Sequence, residues 1–337
     1  MDRPPSMADV AARAGVSHQT VSRVLNDHPN VRPETRDRVL AAIDDLGYRR
    51  NRAARALATA RSSTIGILSV GGAYFGPQST VLAIEVAARS AGYFVSVSSL
   101  DGYDSRSAAL ALDHLMDQGV DGVVVVAPLN DVTQVITEAE WRVPVVVIGT
   151  PAHLESPAPV RYVHVDQRLG AQRATEHLID LGHRRIDHVS GPPGWFDATE
   201  REVGWRLTLR AAGVDGDVVP AGDWSAARGY EVGCTIAARI ADGRGPSAVF
   251  AANDYLAIGL LRAFWERGLC VPDDVSVVGF DDLQSSAYYI PALTTVRQPF
   301  AAVGAAAVDA LLGTPTGDQN AFAPEIVVRS STAPPGG

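Results

Sequence analysis

The 337-residue chain contains no lysine, so all 29 of its non-histidine basic side chains are arginine. That absence is a bias of composition and carries no functional meaning. Cysteine is nearly absent too. Cys234 and Cys270 stand far apart, which excludes a disulfide framework or a cysteine zinc site and predicts two buried thiols. No apolar run approaches the ~20 residues that a membrane span needs. The start, Met1-Asp2-Arg3-Pro4-Pro5, has no apolar signal segment, so the expected location is the cytoplasm. The first apolar strand is followed by Val70-Gly71-Gly72-Ala73. That is not a glycine-rich phosphate fingerprint, and it argues against a nucleotide enzyme.

What is present is an ordinary globular balance, 46% hydrophobic and 20% charged, long enough for two to three domains. The net charge of −9 is unevenly spread. Residues 1–61 hold 11 Arg against 7 acidic residues, a balance of +4, and the remainder is strongly acidic. A small basic head on a large acidic body suggests a nucleic-acid-binding end.

The head carries a two-helix pattern. Ser6 and Asp9 fit a helix start, and Val10, Ala11 and Ala14 mark its inner face. Gly15 breaks the helix and Val16 fills the space beneath the turn. Ser17 caps a second helix, His18 to Leu25, whose inner face is Val21, Val24 and Leu25. Its polar side chains then point outward. This is a helix-turn-helix, whose second helix enters the major groove. Gln19 suits adenine and Arg23 suits guanine, with Ser17, His18, Thr20, Ser22 and Asn26 beside them. A third helix follows Pro33, with Val39, Leu40, Ile43 and Leu46 as its buried stripe and Arg32 as a poor cap. The next segment, Asn51-Arg52-Ala53-Ala54-Arg55-Ala56-Leu57, is basic and alanine-rich. A helix this short needs a partner to form, and DNA supplies one.

From Ser62 onward, short apolar runs alternate with amphipathic helices. Ile65–Val70, Phe94–Ser98, Gly122–Ala127, Val145–Ile148, Tyr162–Val165, Ile186–Ser190, Ala248–Ala251 and Val275–Phe280 all read as buried parallel strands. The alternation indicates α/β architecture, and its length suggests two lobes. Ligands of such sheets bind outside the carboxyl ends of the strands. There the sequence places Arg201, Asn253, Asp281 and an exposed Trp224. Carboxylate, amide and guanidinium groups pair with vicinal hydroxyls, and tryptophan stacks on a sugar ring. Asp254 reads as a helix cap, and Trp195, Trp205 and Trp265 read as core.

The run from Ala8 through Ser17 and on to Asn26 resembles the signature of the LacI/GalR repressor family. Glu200-Arg201 with Gly204-Trp205, Ala252-Asn253-Asp254, Gly279-Phe280-Asp281-Asp282 and Leu293-Thr294-Thr295-Val296-Arg297-Gln298-Pro299 resemble its later motifs. The resemblance covers nearly the whole chain. It implies an α/β two-lobed core like that of periplasmic binding proteins, behind an all-α helix-turn-helix domain. It also implies contact of Arg201, Asn253, Asp281 and Gln298 with a sugar, a galactoside being the candidate. Two hinge helices in the minor groove are implied as well, with Leu57 wedging the central step and Asn51, Arg52 and Arg55 around it. The expected partners are pseudo-palindromic double-stranded operator DNA, a sugar effector that releases it, and a second copy of the chain. No cofactor, metal or membrane partner is expected.

The expected divisions are a helix-turn-helix domain over 1–50, a hinge helix over 51–61, a core over 62–332 and a disordered tail over 333–337. Within the core, the first lobe spans about 62–162 and 297–323, and the second about 163–296 and 324–332. The family's oligomerising C-terminal helix has no counterpart, so a dimer is expected and not a tetramer. The pattern also departs from a sugar-binding family member at Gly149 and Val126, where polar first-lobe contacts are lost. Tyr74 and Phe75 are candidates to supply apolar contacts instead. Two rival readings are an enzyme and an exported sugar-binding protein. Adjacent Asp281 and Asp282 do not face each other across a bond as glycosidase carboxylates do, and there is no nucleophile or metal-ligand cluster. An exported binding protein would carry a signal peptide in place of the helix-turn-helix.

Overall fold

A computed structural model of the chain describes residues 5–49, 61–71, 74–100, 102, 104–127, 129, 132, 135–136, 139–149, 160–314 and 321–336. They fall into two compact units, divided between Ser62 and Ser63. The hinge residues Asn51, Arg52, Arg55 and Leu57 lie outside the described residues.

The first unit is three helices: α1 (Met7–Ala14), α2 (His18–Leu25) and α3 (Pro33–Leu46). Ser6 and Asp9 close a capping box on α1. The Asp9 carboxylate accepts from the Ser6 backbone N–H at 2.8 Å, and the Asp9 N–H donates to the Ser6 hydroxyl. Gly15 ends the helix at φ 64°, a left-handed conformation in which a side chain would be strained. Val10, Val21 and Val39 meet as a fully buried centre, closed by Val24, Ala42 and Tyr48. The third helix differs from expectation in phase. Leu40 is 49% exposed, and Ala42 takes its place in the core, because Val39, Ala42, Ile43 and Leu46 keep the three- and four-residue spacing that Leu40 breaks. Arg32 makes no capping hydrogen bond, but Arg36 reaches Asp27 at 2.6 Å and ties α3 to the preceding loop.

The second unit contains two six-stranded sheets. The first is built from β1 (Thr64–Val70), β2 (Phe94–Leu100), β3 (Gly122–Val126), β4 (Val145–Ile148), β5 (Val160–Val165) and β11 (Ala321–Phe322), in the order β11-β5-β4-β3-β1-β2. Its helices are α4 (Phe75–Ser90), α5 (Ser105–Asp117) and α10 (Phe300–Leu312). The second sheet holds β6 (Ile186–Ser190), β7 (Val218–Pro220), β8 (Ala248–Ala251), β9 (Ser276–Asp281), β10 (Thr294–Arg297) and β12 (Glu325–Val327), in the order β12-β10-β9-β8-β6-β7. Its helices are α6 (Gln167–Asp180), α7 (Phe196–Ala212), α8 (Ala226–Ala241) and α9 (Asp254–Glu266).

All pairings are parallel except β10 with β12. Central strands read as continuous apolar runs because both faces are covered. In β1, Ile65 and Ile67 pack with α4 and α10, whereas Leu68 and Val70 pack on the α5 side.

Five expectations need correction. The strand at Phe94 is not buried: β2 is an edge, with Phe94 45% and Val97 49% exposed. The boundary expected between 162 and 163 cuts through β5, which stays in register with β4 in the first sheet along its length. Arg297, expected to begin the return to the first lobe, is still paired with Asp281 in the second sheet. Neither thiol is buried, since Cys234 is intermediate and Cys270 exposed. Trp265 is not core but 69% exposed, with Arg262 over its ring at 4.8 Å.

The end of the chain, including Ala333 of the expected tail, is held by contacts. Ser331 is fully buried, donates to Val277 O at 2.6 Å and accepts from the Thr294 N–H. The Ala333 carbonyl lies 3.0 Å from His183 Nε2. A segment poor in large apolar residues is held here by hydrogen bonds to the second lobe, which composition does not register.

Candidate effector cleft and recognition helix

In the first unit, Ser17 caps α2 by accepting from the Thr20 N–H at 3.1 Å. Its hydroxyl also meets the Thr20 hydroxyl at 2.9 Å, so Thr20 serves the cap. His18, Gln19, Arg23 and Asn26 are exposed, and Ser22 is half-buried. The surface they form is polar, with Arg23 in the last turn, and opposite it Val21 and Val24 are buried. Asn26, beyond the last turn, is the C-cap.

In the second unit, the carboxyl ends of both sheets line two adjoining cavities. One is bounded by Tyr74, Phe75, Gly76 and Pro77 from the first lobe and by Trp195, Asp197, Arg201, Trp224, Asn253 and Asp281 from the second. The other shares Gly76, Pro77 and Asp197 and continues to Gly149, His164, Gln167 and Gln298. Five sequence-predicted residues thus reach one cavity from five elements or their ends, and Tyr74 joins them at the start of α4.

Arg201, in the second turn of α7, is only 3% exposed. Its Nε donates to Gln167 Oε1 at 2.9 Å, its Nη1 to the Ala252 carbonyl at 2.6 Å, and its Nη2 lies 3.6 Å from Asp281 Oδ1. The guanidinium sits 3.8 Å over the Phe280 ring, a cation–π arrangement suited to a dry site. Gln298 closes the circuit, donating to Asp281 Oδ1 at 2.6 Å and accepting from Gln167 Nε2 at 2.9 Å. Burial pushes the Asp281 carboxyl up to about 6, against the pull of Arg201 and Gln298. Its backbone stands at φ 110°, and Asp282 follows at φ 52°. Such strain in residues other than glycine gathers at functional sites. Arg297 and Arg329 hold Asp282 at 2.7 and 2.6 Å.

Asn253 caps α9, accepting from the Leu256 N–H at 2.8 Å, and donates to the Trp224 carbonyl at 3.2 Å. The cap is therefore Asn253, not the expected Asp254. Asp254 is buried one residue on and receives the Thr295 hydroxyl at 2.5 Å, the Ser286 hydroxyl at 2.6 Å and the Leu283 N–H at 2.9 Å. Burial raises it to about 7 despite those donors.

Trp224 is not exposed: 6% of it remains accessible, and its Nε1–H has no hydrogen-bond partner among the described residues. The indole lies so close over Gly191 that a Cβ there would come within 2.3 Å of it. Trp195, expected as plain core, lines the cavity and stands edge-on to Trp224 and to Tyr74, with centroids 5.7 and 5.2 Å away. Phe75 leans on Phe300 at 5.9 Å. Sequence reading missed Gln167, Trp195 and Asp197. The available signal was their position: Gln167 is the first residue after the β5 crossover, and Trp195 and Asp197 lie between the end of β6 and Arg201.

Among the described residues no cluster of metal-binding side chains occurs, and no helix is long and apolar enough to cross a membrane.

Comparison with known proteins relates both units to one family. Residues 6–51 match the model of bacterial regulatory proteins of the lacI family, and residues 175–332 match a periplasmic binding protein-like domain. The lactose operon repressor of Escherichia coli K12 is 35% identical over 92% of this chain and 84% of its own length. The transcriptional regulator CelR of Thermobifida fusca is 37% identical over 90% of this chain and 89% of its own. Among solved structures, a lac repressor dimer bound to operator and the anti-inducer ONPF is similar with a TM-score of 0.87 and 33% identity, covering 98% of this chain and all of that one. A CelR–cellobiose complex is similar with a TM-score of 0.70 and 32% identity, covering 97% and 99%. With this extent of identity over both units, the chain belongs to the lacI family of bacterial regulatory proteins.

Proposed function

We propose that the chain is a cytoplasmic transcription repressor that binds operator DNA as a homodimer and is released by a small sugar of the galactoside class. The observation that carries this is the convergence of Arg201, Asn253, Asp281, Trp224 and Tyr74 on one cavity between the lobes. The set offers acceptors for hydroxyls, an unpartnered indole N–H and flat aromatic surface, which is the chemistry of sugar recognition. The repressor of the lactose operon and a regulator complexed with cellobiose are among its relatives.

On this reading two copies of α2 sit in successive major grooves, and residues 51–61 order on the DNA with Leu57 as the wedge. The sugar favours one arrangement of the lobes and operator the other, so each weakens the other by the same factor. Gln19 and Arg23 read bases, and Ser17, His18, Thr20, Ser22, Asn26, Asn51, Arg52 and Arg55 orient the unit or contact phosphate.

The test is an operator titration at fixed salt, with sites first selected from random DNA, repeated with galactosides, glucosides and cellobiose. One sugar is expected to release the protein. Binding of operator unaffected by every sugar would overturn the effector reading, and absence of any selected site would overturn the repressor reading. On the selected operator, Gln19→Ala is expected to cost about 1–3 kcal/mol while leaving binding to unrelated DNA unchanged. Fluorescence anisotropy at constant ionic strength measures both, since phosphate contacts alone are strongly salt-dependent.

A further inference from the structure

Asp197 lines both cavities of the cleft, yet among the described residues none hydrogen-bonds or pairs with its carboxylate, and Arg201 and His164 act on it only through their charge at longer range. Neighbouring carboxylates are engaged. Glu200 accepts from Arg168 at 3.0 Å, Asp281 from Gln298 at 2.6 Å, and Asp166 from the Leu169 N–H at 2.9 Å. Among the described residues the Asp197 carboxylate has no hydrogen-bond or ion-pair partner. Its place in the first turn of α7 suits an acidic residue, because the helix dipole favours negative charge there. That does not explain where the carboxylate goes, since the N-cap of α7, Trp195, makes no side-chain cap and Asp197 accepts from no N–H of its own helix. Burial pushes its pKa up, while Arg201 pulls it down.

Across the cavity the first-lobe wall is mostly apolar, with Val126, Ile148, Gly149, Val165, Phe300 and Val303, and its polar side chains are Thr80, whose hydroxyl donates to the Gly76 carbonyl, and His164. A Cβ at Gly149 would meet only Val147, at 3.9 Å, so the space opposite Asp197 is open. A half-buried charge without a partner costs folding free energy. Such a charge in a cleft is a candidate functional group.

We propose that Asp197 is a ligand-binding residue that accepts hydrogen bonds from two adjacent hydroxyls of the effector, and that it thereby selects neutral sugars against sugar acids. This rests on the sugar reading given above. Ligand hydroxyls supply the donors that no described side chain brings within hydrogen-bond distance of the carboxylate, and they replace the polar contacts that Gly149 and Val126 do not make. A carboxylate on the ligand would face Asp197 as a like charge.

The experiment is calorimetric titration of the full chain with neutral hexoses and disaccharides and with the matching uronic acids, on the wild type, Asp197→Asn and Asp197→Ala. Thermal melting of each is recorded without ligand. The neutral sugar that binds wild type is expected to lose roughly 10- to 100-fold in affinity in both variants, the range for hydrogen bonds to a charged group. Uronic acids are expected to bind only the variants. Melting temperatures are expected to equal or exceed that of the wild type, because an unpartnered charge is removed. A sugar that binds the variants as tightly as the wild type overturns the proposal. So does a large fall in melting temperature, which would make Asp197 a structural residue. A wild type that binds no sugar at all is a different result, and it overturns the sugar reading itself.

Discussion

An Arg201→Met protein is expected to lose its response to effector and about 3–5 kcal/mol of unfolding free energy, the range for removing one partner of a buried ion pair. Methionine keeps most of the aliphatic stem but not the guanidinium that lies over the Phe280 ring. The cation–π contact is lost, and so are the polar ones. Gln167 Oε1 and the Ala252 carbonyl lose their donors, and Asp281 keeps only Gln298. Denaturant unfolding of the two variants Arg201→Met and Gln298→Met separates the contributions. The Gln298 change is expected to cost less, because it leaves the guanidinium beside Asp281. A loss below about 1 kcal/mol for Arg201→Met, typical of a surface pair, would show that the cavity solvates the abandoned groups and that Arg201 is not the centre of the network.

Asp254→Ala is expected to destabilise the two-sheet unit by about 3 kcal/mol, through donors left unpaired at the Leu283 N–H and the Ser286 and Thr295 hydroxyls. These lie on the segment after β9, on the following 3-10 turn (Gln284–Tyr288) and on β10, so one carboxylate fastens three pieces of the second lobe to α9. The loss should depend on pH. Because burial raises the folded pKa from 3.8 to about 7, the stability tied to this group is fully present below about pH 3.8 and declines as pH rises through about 7. The gap between wild type and Asp254→Ala is therefore expected to be widest in acid and to narrow toward pH 8. Urea unfolding at a series of pH values measures it. A gap that grows with pH would show that the donors keep Asp254 ionised throughout.

Periodicity reached most of the fold and reached it for a physical reason. A parallel strand buried on both faces is an unbroken apolar run, so β1, β3, β4, β6, β8 and β9 stand out wherever they lie. Position along an edge is not encoded that way. β2 carries apolar residues like its neighbours but ends the sheet, and β7, two residues of apparent strand and a proline, carries too little pattern to be seen. The site was partly legible. Arg201, Asn253, Asp281 and Gln298 were found from motifs, and Trp224 was found but assigned to the surface. Gln167, Trp195 and Asp197 belong to no motif, and each becomes part of the site only because a crossover or a helix start brings it to the mouth of the cleft.

The sequence by itself determined that a basic helical head precedes an acidic α/β body, that α2 turns a polar face outward, and where most of the buried parallel strands lie. These follow from charge, from the 3.6-residue period and from apolar runs, all of which act over a few residues. Tertiary structure alone decided which acidic group is tied down and which is free. Asp254, Asp281 and Asp197 are the same side chain at the ends of similar elements. Asp254 meets three donors, Asp281 meets Gln298 and Arg201, and Asp197 meets the cavity. The difference arises from residues up to about a hundred positions distant, brought together by sheet order and crossovers, and no local pattern carries that information.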